Sequence, residues 1–187
     1  MLMNQTKTYV ALLRGINVGG HHKVPMADLR KEFKKLGSKK VETVLNSGNI
    51  IFDFKDEKAE HIENIISEHL KKTFGFTIPV VIRRSENFIE LFSNKPFRSV
   101  DVTPETRLYA TFLKNDNDTD ISLPWCTPDN SYAIVERNND TIMSVLDLSI
   151  SQTTKAMATL ESVFGKDITT RNWNTIERIN KKLEIFS

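Results

Sequence analysis

A glycine-rich segment of this 187-residue chain has residue types that could bind an anion. The segment reads Arg14-Gly-Ile-Asn-Val-Gly-Gly20 and joins an apolar run to a predicted helix. A glycine-rich loop between a strand and a helix can point backbone N–H groups at a phosphate. Gly15 and Gly20 have the spacing that begins a P-loop, but His21-His22 replaces the Lys-Ser/Thr pair that this motif requires. The sequence therefore predicts a site for an anion or a small ligand, without nucleoside triphosphate hydrolysis.

The same segment also has a purely structural interpretation. Glycines permit a positive φ in a tight crossover loop, and an asparagine such as Asn17 can bond to nearby backbone groups. The residue types alone leave both interpretations open.

A second motif, Asn46-Ser-Gly-Asn49, lies between two β-favouring runs. Four turn-forming residues between such runs predict a β-hairpin. A turn is the simpler interpretation, and contact of Ser47 and Asn49 with a ligand is the alternative.

A third motif, Arg171-Asn-Trp173, combines a forked donor, an amide and a stacking face, which together suit a planar or anionic ligand. Its structural alternative is a helix start. Asn174 and Glu177 have the spacing of a capping arrangement before a helix predicted at Thr175 to Ile185, and Trp173 could pack as a hydrophobic staple.

All three motifs are predicted at the ends of strands or helices, so they could line one cleft around a small polar or phosphorylated molecule. The candidate ligand-binding residues are Arg14, Asn17, Gly19, Gly20, Lys23, Ser47, Asn49, Arg171, Asn172 and Trp173. We identify no catalytic residue among them, and the sequence leaves open whether the protein is an enzyme.

Metal and cofactor chemistry have little support in the sequence. His21 and His22 are adjacent and His61 and His69 are eight residues apart, so neither pair has the spacing of a catalytic metal site. Cys126 lacks a visible base partner and is interpreted as a structural thiol. We predict no metal and no cofactor.

Composition favours a cytoplasmic protein without a membrane or nucleic-acid partner. The single cysteine excludes an intramolecular disulfide, which fits a reducing compartment. The longest apolar runs are too short to cross a bilayer. A net charge of +2, from 26 basic and 24 acidic residues, is too balanced to indicate nucleic-acid binding.

Hydrophobic periodicity predicts an α+β protein made of two ferredoxin-like halves packed together. Strands and helices alternate as β-α-β-β-α-β in the first half, and the second half is a looser echo of that order with a C-terminal helix. The predicted boundaries are 1–95 for the first half, 96–106 for a linker and 107–187 for the second half.

The first strand predicts that its sheet is covered on both faces. Tyr9-Val-Ala-Leu-Leu13 is apolar throughout, whereas a sheet with one wet face alternates apolar and polar residues. The second half or a partner subunit is expected to provide the cover, so an oligomer is an open alternative.

Four segments together resemble a largely bacterial family, domain of unknown function 1697. They are Ala11-Leu-Leu-Arg-Gly-Ile-Asn-Val-Gly-Gly20, Val24-Pro-Met26 with Leu29-Arg30, Leu45-Asn-Ser-Gly-Asn-Ile-Ile-Phe52, and Thr169-Thr-Arg-Asn-Trp-Asn-Thr175. The resemblance spans nearly the whole chain. It implies a cytoplasmic two-part α+β protein and carries no reaction.

One segment departs from the family pattern. Before the penultimate helix the family tends to have a glycine-containing loop with Ser-Lys-Leu, whereas this chain has 147–155 without glycine and with Lys155 as a doubtful counterpart. A role shared with the family at this loop is therefore not expected.

The leading functional hypothesis is a protein that binds a small polar or phosphorylated ligand in the motif-lined cleft. Single-stranded RNA binding is one alternative, because a sheet of this kind can present stacking aromatics, although only Phe54 has a matching position. A non-catalytic oligomeric interaction module is the other.

Overall fold

The computed structural model describes residues 5–115, 119 and 121–186. The chain divides into two compact units. The first unit is Met1–Glu90 with Glu177–Ser187, and the second unit is Leu91–Ile176. The boundaries at 95, 96–106 and 107 stay a prediction from sequence.

The first unit has the order β-α-β-β-α-β that the periodicity predicts. Its elements are β1 (Thr6–Leu13), α1 (Met26–Lys35), β2 (Lys39–Val44), β3 (Asn49–Lys55), α2 (Ala59–Phe74) and β4 (Val80–Arg84). The strands pair antiparallel in the order β2-β3-β1-β4, so β1 and β3 are central. A further helix, α3 (Ser85–Ser93), follows β4 directly.

Side chains on both faces of β1 are buried, as the sequence predicts. Tyr9, Ala11 and Leu13 belong to the core that also holds Leu29 of α1. Val10 and Leu12 point to the other face, and they too are fully buried. Burial on both faces explains why the strand is apolar without alternation.

A buried carboxylate accepts one backbone donor on the outer edge of this first sheet. Ile82 lies on the edge strand β4, and its backbone N–H donates to Oε1 of Glu63 at 2.8 Å. Glu63 belongs to α2 and is 3% exposed, so this bond is shielded from water. The bond fixes α2 to β4.

The second unit is built on a five-stranded antiparallel sheet. Its elements are β5 (Thr106–Leu113), β6 (Trp125–Cys126), β7 (Tyr132–Asn138), β8 (Thr141–Asp147), α4 (Thr153–Phe164), β9 (Ile168–Asn172) and the start of α5 (Trp173–Phe186). The strand order is β6-β7-β8-β5-β9. Leu160 of α4 packs in a core with Tyr109, Leu113 and Leu146.

Two features of the second unit correct the sequence prediction. The two-residue strand β6 was not predicted, because so short a strand has no periodicity. The last helix starts at Trp173 rather than Thr175, since β9 pairs with β5 as far as Asn172. Oδ1 of Asn172 accepts the N–H of Asn174 at 3.0 Å, so Asn172 caps the helix and the cap predicted at Asn174 was wrong.

The α+β class is confirmed by two antiparallel sheets with packed helices. The ferredoxin-like assignment of each half stays a prediction. Across the ranges that the structure describes, no helix has the length and apolar character needed to cross a bilayer.

Candidate functional site

The glycine loop, residues 14–24, connects β1 to α1 as a small hairpin. The N–H of Asn17 donates to the carbonyl of His22 at 3.1 Å, and that of His21 to the carbonyl of Val18 at 3.1 Å. Gly19 and Gly20 form the tip and have φ of 58° and 78°, a region that favours glycine. The tip is exposed to solvent.

Asn17 holds the glycine loop closed with its side chain. Its Oδ1 accepts the N–H of Val24 at 2.8 Å, and its Nδ2 donates to the carbonyls of Val24 at 3.0 Å and Asn46 at 2.8 Å. Both amide hydrogens of the side chain therefore have backbone acceptors. Asn17 is a brace between the glycine loop and the hairpin turn.

His22 anchors the other side of the glycine loop. Its ring stacks on Phe76 with 4.2 Å between the ring centroids, and its Nδ1 lies 3.2 Å from the carbonyl oxygen of Gly15. Phe76 lies between α2 and β4, so the glycine loop is tied to the turn that follows α2.

The NSGN turn, residues 46–49, joins β2 to β3 as the sequence predicts. Asn49 is fully buried, and its Nδ2 donates to the carbonyl of Val44 at 2.9 Å and to Oγ of Ser47 at 3.0 Å. Its side chain therefore stabilises the turn from inside. Asn46 and Ser47 are exposed.

Gly48 joins the NSGN turn to the end of β1. Its φ is +76°, and a Cβ atom there would lie 2.7 Å from Cβ of Leu13 and 2.9 Å from Cδ1 of Ile16. Its carbonyl accepts the N–H of Leu13 at 2.8 Å. Only glycine fits this contact, which brings the first two sequence motifs together.

An open pocket of about 460 Å³ lies where the glycine loop, the NSGN turn and the start of α1 meet. We call it the α1 pocket. It is lined by Asn17, Gly20, Lys23, Val24, Pro25, Met26 and Asn46. The volume is within the range of small-molecule sites.

The electrostatics of the α1 pocket favour an anion. Pro25 occupies the N-cap position of α1, and no side chain caps that end. The N-terminus of a helix carries a partial positive charge and presents backbone N–H groups. Lys23 adds a full positive charge beside it, whereas Asp28 in the first turn is paired with Lys31 at 3.2 Å.

The third motif belongs to the second unit. Trp173 is 9% exposed, and its ring stacks on Phe92 at 6.2 Å between centroids and meets Phe97 edge-on at 5.0 Å. Aromatic partners from the same unit thus occupy the ring. Trp173 is a packing residue there, not an open stacking surface.

Arg171 is half-buried on β9, opposite Ala110 of β5. Nη1 of Arg171 donates to the carbonyl of Thr170 at 3.0 Å. Burial lowers the pKa of the guanidinium to about 10. It is still charged at neutral pH.

The structure places three of the predicted residues, Asn17, Gly20 and Lys23, in the lining of the α1 pocket. Gly19 is at the loop tip, Arg14 starts the glycine loop, and Ser47 and Asn49 are in the adjoining turn. A common cleft that also includes Arg171, Asn172 and Trp173 stays a prediction.

Sequence reasoning missed Val24, Pro25, Met26 and Asn46 as lining residues. The signal was present, because Pro25 marks the start of a helix and Asn46 opens the turn motif. What the sequence could not show is that Gly48 packs against Leu13 and Ile16 and that Asn17 bonds to Asn46, which bring this turn beside the glycine loop.

Comparison with known proteins gives a family and a related structure. The model of a protein family of unknown function, DUF1697, matches residues 6–142. A solved structure of a conserved bacterial protein from Streptococcus pneumoniae is similar, with 29% identity and a TM-score of 0.69 over 96% of this chain and 99% of that chain. No curated protein matches.

Proposed function

We propose that this chain, which belongs to the family of unknown function DUF1697, binds a small polar molecule in the α1 pocket. The molecule carries a phosphate or carboxylate group. The observation that carries this proposal is the pocket of about 460 Å³ at the uncapped N-terminus of α1, with Lys23 in its lining. We also propose that the protein acts in the cytoplasm, which its single cysteine supports.

The loop geometry supports this proposal because the α1 pocket is formed before a ligand arrives. Asn17 bonds to Val24 and Asn46, and His22 stacks on Phe76, so both sides of the glycine loop are fixed. A ligand then binds without first ordering a flexible loop, which lowers the entropic cost of binding.

The second unit enters the proposal only through Arg171. Asn172 caps α5 and Trp173 packs between two phenylalanines, so both have structural tasks. Arg171 retains its charge at neutral pH and remains our candidate for a further anion contact. Its contribution to a cleft shared with the α1 pocket is part of the proposal.

The two alternatives have less support. Phe54, the aromatic in the matching position for RNA stacking, is 7% exposed and belongs to the core with α1 and α2. The apolar face of β1 that favoured an interaction module is buried in the single chain. Neither alternative has a specific observation in its favour.

The test is calorimetric titration of the protein with inorganic phosphate, followed by organic phosphates and carboxylates. We expect saturable binding and a higher melting temperature, since a ligand at about 100 times its Kd adds roughly 2.7 kcal/mol of stability. Lys23→Met should weaken phosphate binding at least about tenfold, as the loss of a charged hydrogen bond implies.

Lys34→Met is the matched control, because it removes the same charge from the exposed C-terminal end of α1. Arg171→Ala tests the second unit. Absence of binding by every anion, or equal affinity in the Lys23→Met and Lys34→Met variants, would rule out the proposed site.

A further inference from the structure

We propose that Asn46 selects the ligand of the α1 pocket by reading the uncharged part of the molecule. The class we infer is a phosphate ester whose planar body presents a hydrogen-bond donor beside an acceptor, as a carboxamide or a nucleobase edge does. This inference rests on the proposed function, because it assumes that the anionic group binds at Lys23.

Asn46 lies in the wall of the α1 pocket. It lines the α1 pocket together with Lys23 and Met26, so a molecule that fills the pocket contacts all three. A phosphate at Lys23 and at the start of α1 leaves the rest of the volume for the body of the ligand. Most of the remaining lining is apolar, from Val24, Pro25 and Met26, and suits a planar ring.

The hydrogen bonds of Asn46 involve its backbone and leave its side chain available. Its backbone carbonyl is used, since it accepts Nδ2 of Asn17 at 2.8 Å. The side chain is exposed, and its carboxamide makes no hydrogen bond with any other residue that the structure describes. One donor group and one acceptor of this carboxamide are therefore available to a ligand.

The turn that carries Asn46 is held in place by buried contacts. The buried Asn49 bonds to the carbonyl of Val44, and Gly48 packs against Leu13 with no room for a side chain. A recognition group on a fixed turn discriminates between ligands better than one on a mobile loop, because less ordering accompanies binding. The turn thus presents an exposed carboxamide from a fixed backbone at the pocket.

The chemistry of a carboxamide defines what it recognises. A side-chain amide pairs two-fold with a group that offers a donor next to an acceptor, as asparagine does with the N6 and N7 positions of adenine. Such a pair gives a discrimination of about tenfold or more. Ribose 5-phosphate has no aromatic ring and lacks this edge, unlike a ring-bearing phosphate, meaning one that carries such an aromatic ring.

The experiment measures Kd by calorimetry for inorganic phosphate, ribose 5-phosphate, adenosine 5′-monophosphate, cytidine 5′-monophosphate and nicotinamide mononucleotide. We expect at least one of the three ring-bearing phosphates to bind about tenfold more tightly than ribose 5-phosphate. Asn46→Ala should lower this preference over ribose 5-phosphate about tenfold, because the two-fold pair with the carboxamide is lost. Asn46→Asp should weaken every ligand, because a carboxylate repels the anion and lacks the donor.

Asn94→Ala is the matched control, because Asn94 is an exposed asparagine outside the pocket lining. It should keep the preference for the ring-bearing ligand. If phosphate binds through Lys23 but Asn46→Ala leaves the preference intact, or if no ring-bearing phosphate exceeds ribose 5-phosphate, the role of Asn46 is overturned and the anion site stands. If no phosphate binds at all, both proposals fail.

Discussion

The polar residues in and around the α1 pocket divide into those that support its structure and those that are available to a ligand. Asn17 lines the pocket, yet its amide is occupied by three backbone bonds. Asn49 belongs to the same motif set and is fully buried in its turn. Lys23 and Asn46 are exposed lining residues whose side chains make no hydrogen bond or ion pair with another described residue. The proposed function therefore gives ligand contact to Lys23 and Asn46, and support of the pocket to Asn17 and Asn49.

Gly48→Ala should destabilise the protein by about 2–5 kcal/mol. The left-handed conformation costs an alanine roughly 1–2 kcal/mol, and the close contact with Leu13 and Ile16 adds roughly 1–3 kcal/mol of overpacking. Urea unfolding followed by circular dichroism measures the change.

The control for this prediction is Gly20→Ala. Gly20 has nearly the same φ, +78°, but no neighbouring atom within 4 Å of an added Cβ. It should show only the conformational cost of about 1–2 kcal/mol. Equal losses in the two variants would mean that the contact between the NSGN turn and β1 is not tight.

At the scale of elements, α1 and α2 are joined by a buried carboxylate. Glu32 of α1 is 6% exposed, and its Oε2 lies 2.7 Å from Nε2 of His69 and accepts the hydroxyl of Thr73 at 3.3 Å, both on α2. Its Oε1 accepts Nζ of Lys35 at 2.7 Å. The hydrogen bond from Lys35 is the largest cause that lowers the pKa of Glu32, and burial opposes it.

The stability that Glu32 contributes should disappear in acid. A carboxyl group whose pKa is lower in the folded state stabilises the fold above its unfolded pKa, about 4.5, and loses that contribution as pH falls through the folded value. The difference in unfolding free energy between wild type and Glu32→Gln should therefore shrink below about pH 4.5. Urea unfolding at a series of pH values tests this.

Glu60→Gln serves as the reference for loss of a charge, because Glu60 is an exposed carboxylate of α2. A difference between wild type and Glu32→Gln that stays constant from pH 7 to below the folded pKa would contradict the prediction.

Trp173 is the first residue of α5, and its side chain packs in the second unit. Its ring is enclosed by Phe92 and Phe97, so Trp173→Ala should cost about 3–5 kcal/mol of stability, as for other buried aromatics. Trp125→Ala, on the short edge strand β6 and half-buried, should cost clearly less. Calorimetric unfolding of both variants measures the two losses of unfolding free energy. A loss below about 1 kcal/mol for Trp173→Ala would contradict a buried ring and favour an open stacking face.

Over the whole molecule, the two units repeat one pattern of pairing. β1 pairs with β4 as Val10 with Arg83, and β5 pairs with β9 as Ala110 with Arg171. Each arginine donates Nη1 to the carbonyl of the residue before it, Ile82 in one case and Thr170 in the other. The similarity between the halves that the sequence shows only loosely is thus kept in the register of β1 with β4 and of β5 with β9.

The sequence predicted the strongly patterned parts of this fold and left the locally ambiguous ones open. Long apolar periods located α2 and β1, because burial of a continuous face leaves a repeating signal. The roles of Asn17 and Asn172 could not be assigned from sequence, because an asparagine can brace a loop, cap a helix or contact a ligand. The α1 pocket needed the contact at Gly48, which joins residues far apart in the chain.

The hydrogen bond from Ile82 to Glu63 affects how the edge strand β4 can pair with a strand of another molecule. An open strand edge with free backbone donors invites the edge of another molecule to pair with it, which is the first step of aggregation. On β4 the donor of Ile82 is already taken by a buried carboxylate of α2, so an incoming strand would have to displace that carboxylate before it could pair at this position. The contact that fixes a helix to the sheet therefore also removes one open backbone donor from this strand edge.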